Sequence, residues 1–327
     1  MDRAKQKDDR QGLEGPPKSN SYLPRHPHDD EVVSSRDGAR QILVPKYDEG
    51  NIDVQRLDEV RRLLKEEDVE SHREALRLLG GDGLLSFQRW EGVHNSESHN
   101  LSNPFRHQVN GLIKRLLSNN TLPEGATYCE MGTGMGVDLT YAADRVPGDV
   151  IGIDSSQSAI ERVKARCSWE LEEDAKKDRV KLVVANYIDW LKERDEQGES
   201  LDMIYMYSAL HYYSPLVLRD EIFPLMARVL TPQSPLKEPG ILAFSMKTAR
   251  SASARADYQL RLTGGKYNPS VDLNDRMFRI YPKNQRAILD LVEPSFEQVH
   301  SHLARRRGYD VTGKTEYFFE YYGRPRV

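Results

Sequence analysis

Two cysteines in 327 residues, Cys129 and Cys167, are too few for a disulfide framework or a cysteine-built zinc site. Cys129 falls inside an apolar strand pattern, where a buried thiol resists ionisation, so it reads as a small core residue. No run of about 18 apolar residues occurs, and residues 1–10 lack the apolar centre of a secretory leader, so a soluble, cytoplasmic protein without a membrane partner is expected. A large charge of one sign is missing too. The formal −4 and pI near 6.2 exclude the global basic footprint of a protein that grips nucleic acid mainly through phosphates, though not a local patch. The one metal-like grouping, His26 and His28 beside Asp29 and Asp30, lies in polar, proline-broken chain and reads as solvated tail, so no metal site is expected.

What is present can build a core, since 38% of the residues are hydrophobic. Residues 1–45 read as a disordered tail and 46–120 as an N-terminal helical segment. In that segment Val54, Leu57, Val60 and Leu64 recur at helical spacing, and Val69, Leu76 and Leu79 follow before Gly80-Gly81. Val109, Leu112, Ile113, Leu116 and Leu117 predict a further amphipathic helix over about 105–117. From 121 to 327 strands at 126–131, 149–154, 180–186, 201–207 and 240–247 alternate with helical patterns, which predicts an α/β, doubly wound, Rossmann-like sheet. Leu182-Val-Val-Ala185 and Met203-Ile-Tyr-Met206 look like central strands covered on both faces. Segments 296–303 and 315–322 supply the antiparallel end of a mostly parallel, seven-stranded sheet, and 248–283 reads as an irregular insertion over an acceptor pocket.

The richest chemistry sits where the first strand of that sheet turns into a helix: Thr127-Tyr-Cys-Glu-Met-Gly-Thr-Gly-Met-Gly-Val-Asp-Leu139. Glycines fall at 132, 134 and 136, whereas the dinucleotide fingerprint needs its third glycine at 137, where Val137 stands. Glu130 at the strand end suits a cationic amine and repels a pyrophosphate. Asp154 closes the next strand, Asp149-Val-Ile-Gly-Ile-Asp154, and lies about where a ribose-binding acid is expected; one carboxylate can accept from both the 2′- and 3′-hydroxyls. The competing reading has Asp154 capping the following helix, whose start Ser155-Ser156-Gln-Ser158 is rich in cap formers.

The pattern E-x-G-x-G-x-G at 130–136 resembles the first motif of class I S-adenosylmethionine-dependent methyltransferases, which implies S-adenosyl-L-methionine as cofactor. Within that class, the cofactor half is similar to the messenger-RNA cap guanine-N7 family. Asn110-Gly-Leu-Ile-Lys114, Gly136-Val-Asp138-Leu139, Ile160-Glu161, Arg166 and Ala209-Leu-His-Tyr212 carry the likeness, over about 110–213. The resemblance implies that Lys114 reaches the cofactor carboxylate, that Asp138 contacts the cofactor, that Asn186 with Tyr187 borders the adenine, and that His211 and Tyr212 border the acceptor.

The acceptor half departs from that family. Ser208 stands where an aromatic is expected, and the later segment holding a base-reading glutamate is replaced around Phe278-Arg-Ile-Tyr-Pro282 by basic and aromatic residues. A guanine reader lacking its carboxylate leaves base donors unpaired, at a cost of about 1–3 kcal/mol. Glu316-Tyr-Phe-Phe-Glu-Tyr-Tyr322 instead resembles the last strand of small-molecule class I enzymes. The expected activity is therefore methyl transfer to an O or N atom of a small metabolite. Cap guanine-N7 methylation and a catalytically inactive cofactor-binding regulator are the alternatives. On this reading Glu130 and Lys114 bind the methionine end, Gly132, Gly134 and Gly136 allow close backbone approach, and Asp154 holds the ribose. Tyr207, Ser208, His211 and Tyr212 line the transfer face. His211 reads either as the general base or as a core histidine bonded to backbone.

Overall fold

The computed structural model describes residues 32–33, 42–43, 54–78, 108–118, 122, 125–232, 237–251, 258–259, 267–272, 277–307 and 315–326. The chain divides into two units, 1–51 and 52–327. In the first, where a tail is expected, the described residues are two short strands, β1 (Val32–Val33) and β2 (Ile42–Leu43), paired antiparallel. The His26 and His28 pair lies outside the described residues, as does the expected stop at Gly80-Gly81.

The second unit opens with the helices expected from the apolar spacing, α1 (Val54–Leu63) and α2 (Val69–Leu78). Val60, Leu63, Leu64 and Ala75 are buried, and Arg73 of α2 reaches Glu221 at 2.5 Å. The next helix, α3 (Gly111–Ser118), starts later than the apolar pattern suggests. Asn110 holds its first turn, accepting on Oδ1 the Leu112 N–H at 2.8 Å, so Val109 lies ahead of the helix and not on its face.

The core is a seven-stranded sheet built from β3 (Tyr128–Met131), β4 (Val150–Asp154), β5 (Val180–Val184), β6 (Met203–Tyr207), β7 (Ile241–Lys247), β11 (Phe296–Arg307) and β12 (Thr315–Pro325). Its order is β11-β12-β7-β6-β3-β4-β5. The first five strands pair in parallel, and β12 runs antiparallel to both β7 and β11. The expected fold is therefore present, a Rossmann-like α/β sheet, with one correction to strand rank. The 180–186 strand is not central, because β5 has β4 as its one neighbour in the sheet and stands at the edge. Its residues are exposed or half-buried, whereas every residue of β3 and β4 is buried.

Alternation divides the buried strands between two layers. Cys129, Met131, Ile204, Met206, Leu242 and Phe244 join one cluster with α8 (Phe223–Leu230) and α9 (Gln285–Val292). Tyr128, Met203, Tyr205 and Ala243 join the other, with α3, α4 (Val137–Ala143) and α5 (Gln157–Glu170). Helix α6 (Asp174–Asp178) leads into β5, and α7 (Tyr187–Gln197) leaves it. Side-chain caps start these helices where the sequence supplies them: Ser156 Oγ accepts from Ala159 N at 3.1 Å, and Asn186 Oδ1 from Ile188 N at 2.9 Å. Gly198, at φ 68°, ends α7 in the left-handed conformation that glycine adopts without a steric penalty.

A second correction concerns 248–283. The segment is not irregular; its described residues form a three-stranded antiparallel sheet of β8 (Tyr258–Gln259), β9 (Tyr267–Asp272) and β10 (Met277–Pro282). Strand β10 lies against β7 and against the 3₁₀ turn Leu210–Tyr212 that follows β6. Among the described residues no helix is long and apolar enough to cross a membrane.

The layer under α3 is fixed through one carboxylate. Asp138 is buried, accepting the Asn110 backbone N–H on Oδ1 at 2.7 Å and the Tyr205 hydroxyl on Oδ2 at 2.8 Å. Tyr205→Phe leaves that oxygen short of a donor in a dry environment, so it is expected to lower stability by about 1–3 kcal/mol in urea unfolding, with the m-value unchanged.

Candidate active site

In a doubly wound sheet the ligand crevice opens beyond the carboxyl ends of the strands where the winding reverses. Here that point lies between β3, which winds outward to β4 and β5, and β6, which winds outward to β7. The glycine turn leaves β3 at this point and is stitched to the end of β4: the N–H groups of Gly132 and Thr133 both donate to Ile153 O, at 2.8 and 3.2 Å. Gly132, Gly134 and Gly136 take φ of 75°, 51° and 70°, a region that L side chains enter only with strain. At Gly136 space is also short, since a Cβ would stand 2.8 Å from Val163 Cγ2 of α5.

Asp154 does two things at once. Its Oδ2 accepts the Gly134 N–H at 2.9 Å and its Oδ1 accepts the Ser156 N–H at 3.0 Å, so it ties the turn to the start of α5. The cap of that helix is Ser156, whose hydroxyl accepts from Ala159 N.

Glu130 is the unusual group. It is buried in β3, and its hydrogen-bond partner is the Tyr128 hydroxyl at 3.2 Å. Burial, and then the neighbouring carboxylates of Asp138 and Asp154, push its carboxyl well above the usual carboxylate range. Among the described residues no cation pairs with it.

Other expected residues distribute unevenly. Asp138 accepts from the Asn110 N–H and the Tyr205 hydroxyl, which anchors it between α3 and β6. Lys114 is exposed on α3, whose buried face is Leu112, Ile113 and Leu116. Asn186 is exposed and caps α7 with its carbonyl oxygen, which leaves its amide nitrogen for a ring acceptor. Tyr187 is half-buried and meets Tyr213 edge-on at 5.8 Å.

Beyond β6 the transfer face comes together. Tyr207 stacks on Phe318 of β12 at 5.6 Å. Ser208 sits at φ 55°, the one described non-glycine residue with positive φ, and its N–H donates to Ser245 O at 2.8 Å. A serine held there costs about 1–2 kcal/mol, strain of the kind that gathers at functional turns. His211 is buried between Tyr212, at 4.1 Å between ring centroids, and Tyr281 of β10, at 5.8 Å. Burial, then Arg279 and Lys247, hold its pKa well below 6.5, so the ring is neutral at physiological pH. Its Nδ1 makes no hydrogen bond, so the alternative of a histidine bonded to backbone through that nitrogen does not apply. Thr133, Ser208 and Ser245 likewise keep buried hydroxyls that bond nothing among the described residues.

Sequence reasoning missed Thr133, Ser245, Lys247, Arg279 and Tyr281 as site residues. Arg279 and Tyr281 did carry a signal, the basic and aromatic composition of 278–282.

A buried carboxylate lacking a cation, beside a turn of bare backbone and several unused hydroxyls, fits a ligand that brings an ammonium and a sugar. Residues 129–233 match the family described as a methyltransferase domain. No curated protein matches the chain. Among solved structures, a SAM-dependent methyltransferase from Anabaena variabilis is similar at TM-score 0.50 and 15% identity, covering 74% of this chain and 95% of that chain. A magnesium protoporphyrin IX methyltransferase from Synechocystis is similar at TM-score 0.45 and 14% identity, over 74% and 94% of the two chains. At such identities the likeness is one of fold. Residues 129–233 thus carry a methyltransferase domain on a Rossmann-like α/β fold, and the chemistry of the site agrees with that class. S-adenosyl-L-methionine, which brings an ammonium and a ribose, is a cofactor that these groups fit.

An ammonium arriving beside Glu130 favours the ionised carboxylate and so lowers the raised pKa. Between the ordinary carboxylate value of about 4.3 and the raised value of the free protein, cofactor binding is then expected to release protons from the wild type and fewer from Glu130→Gln. Isothermal titration in two buffers of different ionisation enthalpy reads this directly. Equal heats in both buffers for the wild type count against Glu130 as the amine site.

Proposed function

We propose that the protein transfers a methyl group to an oxygen or nitrogen of a small metabolite. The observation that carries this reading is the aromatic enclosure of His211, buried between Tyr212 and Tyr281 where the small antiparallel sheet meets the transfer face. An enclosed face of this kind suits a compact acceptor better than a polymer. Glu130 takes the amine, Lys114 the carboxylate, Gly132, Gly134 and Gly136 the backbone approach, and Asp154 the ribose hydroxyls. Asn186 and Tyr187 border the adenine, Tyr207 and Ser208 the methyl-bearing end.

When bound between Glu130, Lys114 and Asp154, S-adenosyl-L-methionine would supply an electrophilic methyl whose sulfur keeps the bonding pair, so that the acceptor lone pair alone would form the new bond. The protein's part is mainly placement: holding the acceptor atom about 3–3.5 Å from the methyl carbon supplies roughly 7–11 kcal/mol of the barrier. Tyr212 and Tyr281 orient the acceptor body. His211 Nδ1 takes the proton that a hydroxyl or ammonium acceptor must lose. Cap guanine-N7 methylation remains the second reading, favoured by the matches at Asn110–Lys114 and Ala209–Tyr212. Turnover of a cap analogue in place of small acceptors would establish it. Cofactor-induced stabilisation with no turnover on any acceptor would mark an inactive regulator.

His211→Ala is expected to lower kcat by about 10²–10⁴-fold while the cofactor dissociation constant stays within twofold. Because the His211 pKa lies below 6.5, the acid limb of the kcat/KM profile is expected below that pH, the base being lost only when acid protonates it. Full activity in the variant removes His211 from the base role.

A further inference from the structure

Helix α3 spans eight residues, too short to hold its place without ties to the sheet. Its start is fixed where Asn110 donates to Asp138, a carboxylate close enough to Glu130 to raise the cost of its charge. A second tie lies one turn further on. Arg115 donates through Nη2 to Glu320 Oε2 of β12, and His302 Nε2 of β11 stands 3.4 Å from the same oxygen. Glu320 is buried, whereas the Arg115 side chain is half-exposed. Residues in register on neighbouring strands share a face of the sheet, as do residues two apart on one strand. Glu130 is in register with Tyr205 and Tyr205 with Ala243; two residues along β7, Ser245 is in register with Glu320. The ion pair therefore runs from α3 to the antiparallel end of the sheet, on the face that Glu130 occupies.

We infer that Arg115 and Glu320 are positioning residues for the methionine end of the cofactor, because their ion pair sets the direction in which Lys114 leaves α3. This deepens the proposed function and rests on its assignment of Lys114 to the cofactor carboxylate. Successive residues of an α-helix point about 100° apart. A guanidinium tied to β12 thus fixes the rotation of α3 about its axis, and with it the heading of the exposed Lys114 side chain. Leu112, Ile113 and Leu116 hold the helix down on the sheet, but apolar burial is not directional, whereas a hydrogen bond from arginine to a carboxylate is. A lysine carried on a fixed helix also has less freedom to lose when the cofactor arrives. Arg115 and Glu320 act through α3 and need no contact with the cofactor.

The test titrates the full chain with S-adenosylhomocysteine and with 5′-methylthioadenosine, which keeps the adenosine and the sulfur but lacks the amino-acid end. Arg115→Gln and Glu320→Gln are each expected to weaken S-adenosylhomocysteine binding roughly ten-fold, with 5′-methylthioadenosine affinity within about twofold of the wild type. Arg115→Lys is expected to regain part of the loss. Because the pair acts through Lys114, Arg115→Gln added to Lys114→Gln is expected to cost nothing beyond Lys114→Gln alone. Arg115 lies at the surface, so its variant folds even where Glu320→Gln does not, and urea unfolding checks both. The inference is overturned if S-adenosylhomocysteine binds Arg115→Gln as it binds the wild type, if both ligands weaken alike, or if the losses at 114 and 115 add. Should Lys114→Gln itself leave S-adenosylhomocysteine affinity unchanged, the assignment of Lys114 falls and this inference with it; a loss at Lys114 with none at Arg115 sinks the inference alone.

Discussion

Burying a carboxylate away from any cation is expensive, and the organisation of this site follows from Glu130 being placed so. Three acids crowd the carboxyl end of β3, yet their duties differ. Asp138 and Asp154 satisfy peptide N–H groups: one fixes α3 to the sheet, the other fixes the glycine turn to the start of α5. Glu130 holds no turn and caps no helix, and its neighbours raise the cost of its charge. A group that only costs stability in the free protein is accounted for when a cation arrives to offset it. On the proposed reading that cation is the amine of the methyl donor, and repulsion from Asp138 and Asp154 would become attraction for the donor's two positive centres.

The cofactor half was legible because its signals are local. Alternating glycines at 132, 134 and 136 report backbone that must enter the left-handed region, and the structure places all three there. Asp154 sits at the end of a five-residue apolar strand, so its position follows from that strand's length. What the sequence concealed depends on long-range partners. Nothing near Asp138 announces that Asn110 and Tyr205 bond its oxygens, because both arrive through tertiary packing. Strand β5 looked central since Leu182-Val-Val-Ala185 is a continuous apolar run, and burial at a sheet edge cannot be read from composition. Strand β9 was hidden by Pro269 and its polar residues, which weaken any strand pattern, although its antiparallel register with β10 is regular from Tyr267 to Asp272.

The acceptor face illustrates the same limit. His211 and Tyr212 stood out by position after β6, but what makes them a site is β10, from a segment without a clear period. Tyr281 and Arg279 reach the 3₁₀ turn only after the insertion folds into its own small sheet. The depressed pKa of His211 is likewise a tertiary property, since its causes are burial and two cations on other elements. It keeps the ring unprotonated over a wider pH range and, by the same shift, makes it a weaker base, so the site relies on placement more than on proton affinity.

Topology sets the two sides of the crevice apart. Strands β3 and β4 deliver the acids, while β7 and the inserted β10 deliver Lys247 and Arg279, whose charges act on His211, on either side of the point where the sheet reverses its winding. On the proposed reading the positive centres of the methyl donor would lie on the acid side, where Glu130 is buried and pairs with no cation among the described residues, and His211 would meet the acceptor on the other.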